Sequence, residues 1–180
     1  LILLGLMAFA YHLGGKRAIA LADGRTGIKT LHSLPGYYGC YAALWAGLPA
    51  LLLLGLWAGF QDTLITALVR SHLPVEAVAG LSEGNLSLLI SDIQNLAGGN
   101  IVSGKVTPGI QAAAAEYGRL QNLANIGLWV LVLAVGLGGL SLAWTQISPA
   151  MRSRNRVEGV VKAILVLFSS IAILTTLGIV

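Results

Sequence analysis

What this sequence has least of is charge. Asp, Glu, Lys and Arg make up 10% of its residues, against roughly 25% in soluble domains. The deficit is concentrated in particular stretches. No charged residue lies between Lys29 and Asp62, or between Arg119 and Arg152. Each run is about thirty positions, beyond the ~20 that cross a bilayer as a helix. A third uncharged run follows Lys162 to Val180, and a fourth occupies Leu1 to Leu13. A soluble domain of this size is excluded, and the chain reads as a polytopic membrane protein.

Other absences narrow the chemistry. The single cysteine, Cys40, rules out an intrachain disulfide and lies in an apolar run, where it reads as a small packing residue. His12, His32 and His72 have no Cys, Asp or Glu at metal-ligand spacing, so no metal site is expected and they read as interfacial or loop residues. No Ser/His/Asp order and no strained Gly-x-Ser-x-Gly turn appears. Gly98-Gly99 lacks the Lys-Ser/Thr that completes a phosphate-binding loop. No span carries an acid or base for a proton relay. These absences predict no enzyme and no cofactor. The net charge of +4 would suggest nucleic acid in a soluble chain. Here the cations sit in short clusters beside apolar runs, so the membrane reading absorbs them and no nucleic-acid partner is expected.

What is present predicts an all-α integral membrane protein with about four transmembrane helices. Span one is Leu1 to about Leu13, read as the tail of a longer helix. Lys16 and Arg17 follow it, whereas a signal peptide has its charges in front. Span two runs from about Gly36 to Phe60, with Tyr37, Tyr38 and Tyr41 near one end and Trp57 and Phe60 near the other, as in an aromatic belt. Pro49 inside it removes a backbone hydrogen bond and predicts a kink. Span three runs from about Ala124 to Ile147, and span four from about Val160 past Val180. The chain starts without Met and stops inside an apolar run, which reads as a fragment with sequence missing at both ends.

The connecting segments set the orientation. The short segments 14–33 and 149–162 are rich in Lys and Arg, whereas 61–123 carries Asp62, Glu76, Glu83, Asp92 and Glu116. The positive-inside rule then places the two short segments in the cytoplasm and 61–123 outside. The organisation is membrane helices in 1–60, an extracytoplasmic helical segment in 61–123, and two further spans in 124–180. Within 61–123, Val75 to Ala79 suggests a short helix after Pro74. Leu86, Leu88, Leu89, Ile90, Ile93 and Leu96 recur at helical spacing. Gly98-Gly99 predicts a helix end, and Asn100 to Thr107 a loop with some strand character. Pro108 opens a long helix running to about Thr145.

Two features suggest interactions. Gly55 and Gly59 form Gly-x-x-x-Gly, and Ala134 and Gly138 a looser small pair, both suited to close helix packing in lipid. Glycine is also simply common in membrane helices, and the two readings weigh equally. Arg152, Arg154 and Arg156 suit phosphates of lipid headgroups or of a nucleotide. A topology anchor is the reading that the positive-inside rule favours.

Two stretches carry a resemblance. Leu31-His32-Ser33-Leu34-Pro35-Gly36-Tyr37-Tyr38-Gly39, with Ala43-Leu44-Trp45 and Leu48-Pro49-Ala50, resembles the N-terminal region of the PstC family, permease subunits of the bacterial phosphate ABC transporter. Arg154-Asn155-Arg156-Val157-Glu158, continuing to Ser170-Ile171-Ala172-Ile173-Leu174-Thr175-Thr176, is similar to the segment leading into that family's permease core. The resemblance implies phosphate uptake across the inner membrane. It also implies a second permease subunit, cytoplasmic ATPase subunits and a periplasmic phosphate-binding protein as partners. It assigns no phosphate-contacting residue here, because the transport core follows span four. Two spans around an outer helical segment also describe a sensor or receptor input domain, and a scaffold subunit is a third reading. Re-entry into the membrane soon after Pro149 favours the permease over the sensor.

Overall fold

The computed structural model describes residues 1–22, 25–72, 83–100 and 106–179. These form α1 (Ile2–Leu21), a 3-10 turn (Arg25–Thr30), α2 (Pro35–His72), α3 (Glu83–Ala97), α4 (Pro108–Gln146) and α5 (Ser153–Ile179). No strand occurs among the described residues, so this is an all-α membrane protein. Three helices are long and apolar enough to cross a membrane: Pro35–Arg70, Pro108–Gln146 and Ser153–Gly178. The expected first span is the apolar start of α1, whose helix continues past Leu13 to Leu21 and takes in Lys16 and Arg17. The short helix expected at Val75 to Ala79, and most of the loop expected at Asn100 to Thr107, lie outside the described residues.

Local chemistry sets the helix ends. Proline opens both α2 and α4, where its missing N–H is no loss and its fixed φ suits the first turn. Before α4, the Thr107 side-chain oxygen accepts from the Ile110 N–H at 3.4 Å, in the manner of an N-cap. At the end of α3, Gly99 takes φ 75°, and the Asn100 N–H reaches back to the Asn95 carbonyl at 2.8 Å. Glycine is favoured there because the left-handed conformation costs it no Cβ clash. Hydroxyls in the apolar helices are satisfied internally. Ser141, Thr145, Ser170, Thr175 and Thr176 each donate to a carbonyl one turn back, as a lipid environment requires.

The chain divides into two compact units. The first contains 1–52 and 132–180. Its core joins Ala10, Ala18, Tyr38, Tyr41, Ala42, Ala46, Leu140, Ala143, Ile147, Met151 and Val157. Small residues let the helices approach closely. A Cβ on Gly14 would come within 2.7 Å of both the Ala42 Cβ and the Tyr38 carbonyl oxygen, and one on Gly39 within 2.6 Å of the Tyr11 carbonyl oxygen. On α4, a side chain on Gly139 would strike the Trp45 backbone. This is packing by small residues rather than by hydrophobic exclusion, the mode available where lipid is as apolar as the side chains.

The second unit spans 53–131. Its core is Ile65, Val69, Ile93, Ala114 and Tyr117, with Leu89, Leu96, Ile110 and Leu120 packed against it. On α3, Leu86, Leu89, Ile93 and Leu96 form the inward face, whereas Leu88 is 65% exposed. Gln94 Nε2 donates to Thr66 Oγ1 at 3.1 Å, tying α3 to α2.

Candidate functional site

Polar chemistry in the first unit gathers where α4 turns into α5. α4 ends at Gln146 and α5 starts at Ser153, so the turn is short, and the segment before α2 clasps it. The His32 N–H donates to the Pro149 carbonyl at 3.1 Å. The Arg154 N–H donates to Ser33 Oγ at 3.3 Å. The Tyr38 hydroxyl, on a fully buried side chain, faces the carbonyls of Pro149 at 3.1 Å and Met151 at 3.0 Å. One hydroxyl proton is thus shared between two backbone acceptors.

Beside this clasp, three helices meet through side chains. Tyr41 of α2 donates its hydroxyl to Gln146 Oε1 of α4 at 2.6 Å. Arg156 of α5 donates through Nη1 to both Tyr41 Oη and Gln146 Oε1, each at 3.1 Å. Its guanidinium carbon lies 5.7 Å from the Tyr41 ring centroid, within cation–π range. Tyr41 and Trp45 meet edge to face with centroids 6.3 Å apart. On α1, Arg17 lies over the Trp144 ring at 5.1 Å.

The three arginines of the sequence motif therefore differ. Arg154 is paired with Glu158 at 2.6 Å, an exposed i,i+4 pair of small energetic weight. Arg152 is exposed at the start of α5. Arg156 is held in place by neutral partners. The only acidic side chains in this unit are Asp23 and Glu158. Asp23 lies outside the described residues and Glu158 is taken by Arg154, so the charge of Arg156 has no carboxylate against it among the described residues. A groove of about 430 Å³ opens beside it, lined by Tyr41, Trp45, Gln146, Asn155, Arg156, Gly159, Val160 and Ala163.

The small-residue pairs read from the sequence face open space within the chain. A Cβ on Gly55, Gly59 or Gly138 would meet nothing within 4 Å, and Ala134 is exposed. Close approaches between helices within the chain include those at Gly14, Gly39, Gly47, Gly136 and Gly139. The signal for them was the run of small residues Gly39, Ala42, Ala46 and Ala50 at three- and four-residue spacing on α2. Among the described residues no group of three His, Cys, Asp or Glu is arranged to hold a metal ion.

A family model described as phosphate ATP-binding cassette transporter matches residues 1–175. No curated protein and no solved structure matches the chain.

Proposed function

Since the chain belongs to the phosphate ATP-binding cassette transporter family, we propose that it is the N-terminal part of a permease subunit importing inorganic phosphate across the bacterial inner membrane. The family match over nearly the whole chain is the observation that carries this reading. Transport of this kind is not catalysis by the chain itself. ATP hydrolysis belongs to cytoplasmic partner subunits, and phosphate capture to a periplasmic binding protein. A second permease subunit completes the path.

Within that assembly the chain has an accessory role. The positive-inside rule places the α4–α5 turn, with Arg152, Arg154 and Arg156, in the cytoplasm. The segment 61–123, which carries Asp62, Glu76, Glu83, Asp92 and Glu116, then lies in the periplasm. There it is positioned to contact or guide the binding protein. The helices of the first unit flank the transport core, with α5 as the first helix of that core. The sensor reading is disfavoured by the junction itself. After Gln146 the chain turns within a few residues into another apolar helix, rather than continuing as a signalling helix.

The test is phosphate uptake at low external phosphate, in cells whose own high-affinity uptake is deleted. The full transporter is compared with one in which 61–123 is replaced by a short Gly/Ser linker, at matched membrane levels. The intact transporter should restore uptake, and the replacement should reduce it. Unchanged uptake in the replacement would remove the docking role. Failure of the intact transporter to restore uptake would sink the phosphate reading.

A further inference from the structure

We propose that the groove beside Arg156 holds one anionic phospholipid, its phosphate on the guanidinium and one acyl chain along Trp45, Val160 and Ala163. The inference rests on the membrane-spanning fold and not on phosphate transport, so the two can fail separately.

The groove is polar at one end and apolar at the other. Arg156, Asn155, Gln146 and the Tyr41 hydroxyl form the mouth; Trp45, Val160 and Ala163 line the continuation. From Arg156 to Ala163 the helix rises about 10 Å, against about 15 Å for the hydrocarbon of one leaflet. Gly159 leaves the wall open between the two ends, since a Cβ there would meet nothing within 4 Å.

The mouth is prepared for an anion. Nη1 of Arg156 is spent on Tyr41 and Gln146. Among the described residues the Nε–H and the Nη2 group, the two donors of a bidentate fork, are left for phosphate oxygens. The Tyr41 ring and both hydrogen bonds fix the guanidinium before a ligand arrives, which lowers the entropy cost of binding. Arg156 also sits in the first turn of α5, whose dipole favours negative charge. Arg152 lies one turn earlier, its carbonyl accepting from the Arg156 N–H at 3.3 Å. A free phosphate would satisfy the mouth and leave the apolar continuation empty. A zwitterionic lipid would bring a second cation towards Arg152 and Arg156.

The experiment uses the full transporter complex, purified in mild detergent and examined by native mass spectrometry. Dioleoylphosphatidylglycerol, dioleoylphosphatidylcholine or inorganic phosphate is added. The expected result is one phosphatidylglycerol retained at least tenfold more tightly than phosphatidylcholine. Arg156→Gln should lose that preference. Ala163→Trp, which fills the apolar end without touching the polar mouth, should lose the bound lipid while thermal stability stays within a few degrees. Equal retention of the two lipids, or unchanged lipid counts in both variants, would overturn the proposal. So would displacement of the lipid by inorganic phosphate at micromolar concentration. Loss of a partner subunit rather than of a lipid in Ala163→Trp would show that a protein helix fills the groove, and would overturn it as well.

Discussion

The Tyr38 hydroxyl sits 3.0 Å from the carbonyl oxygen of Met151, a residue 113 positions further along the chain. Through this contact the start of α2 is tied to the turn that launches α5. Tyr38→Phe keeps the ring and removes the proton, leaving the Met151 and Pro149 carbonyls without that donor. The expected cost is about 0.5–2 kcal/mol, the range for a hydrogen bond between membrane helices and for an orphaned acceptor. It should appear as a lowered thermal midpoint of the purified protein in detergent.

The glycines of the first unit should separate into two classes. Gly39→Leu places a side chain against the Tyr11 backbone and ring, and neither can yield without moving α1. Folded yield should fall severely, read as loss of the monodisperse peak in fluorescence-detected size exclusion. Gly138→Leu meets open space in the chain and replaces a poor helix former by a good one. That variant should elute normally. If instead Gly138→Leu disrupts the assembled transporter while leaving the isolated protein intact, its face is packed against a partner subunit.

Ile93 is 1% exposed and touches the core shared by α3 and its neighbours in the second unit. Ile93→Ala should cost that unit about 2–5 kcal/mol, through lost transfer energy and the cavity left behind. Hydrogen exchange of the α3 amides should quicken, while the amides of residues 38–46 keep their protection.

Orientation can be read by labelling. In a Cys40→Ala background, Ser91→Cys on α3 and Ser148→Cys in the α4–α5 turn each put one thiol at an exposed position. A membrane-impermeant maleimide applied to cells with a permeabilised outer membrane should modify the first. The second should react only after the inner membrane is opened. The reverse pattern would invert the proposed topology.

The helices were largely legible in the sequence because their signals are local. Pro108 and the alanine-rich stretch after it predicted a helix to about Thr145, and α4 runs to Gln146. Gly98-Gly99 marked the end of α3, and the left-handed φ at Gly99 accounts for it. The end of α1 was not legible. Lys16 and Arg17 close the apolar run, yet the helix continues because Gly14 is packed on α2 and Arg17 is laid over Trp144. Those contacts are tertiary, and no period in the sequence reports them. The polar junction was hidden for the same reason. Arg156 stood out only as one of three alternating arginines. The i,i+4 spacing of Arg154 and Glu158 is local, but Tyr41 and Gln146 reach Arg156 only through the fold.

Beyond its first turns, α5 is poorly covered by the described residues: Leu165, Val166, Leu167, Phe168, Ile171, Ile173, Leu174 and Leu177 are all more than half exposed. With so little of its apolar surface covered by the described residues, this helix enters the bilayer during synthesis chiefly on its own transfer free energy. Ile171→Lys would act at that moment, making insertion less favourable by about 3–4 kcal/mol. Its damage would be a span left out of the membrane rather than a helix badly packed within it.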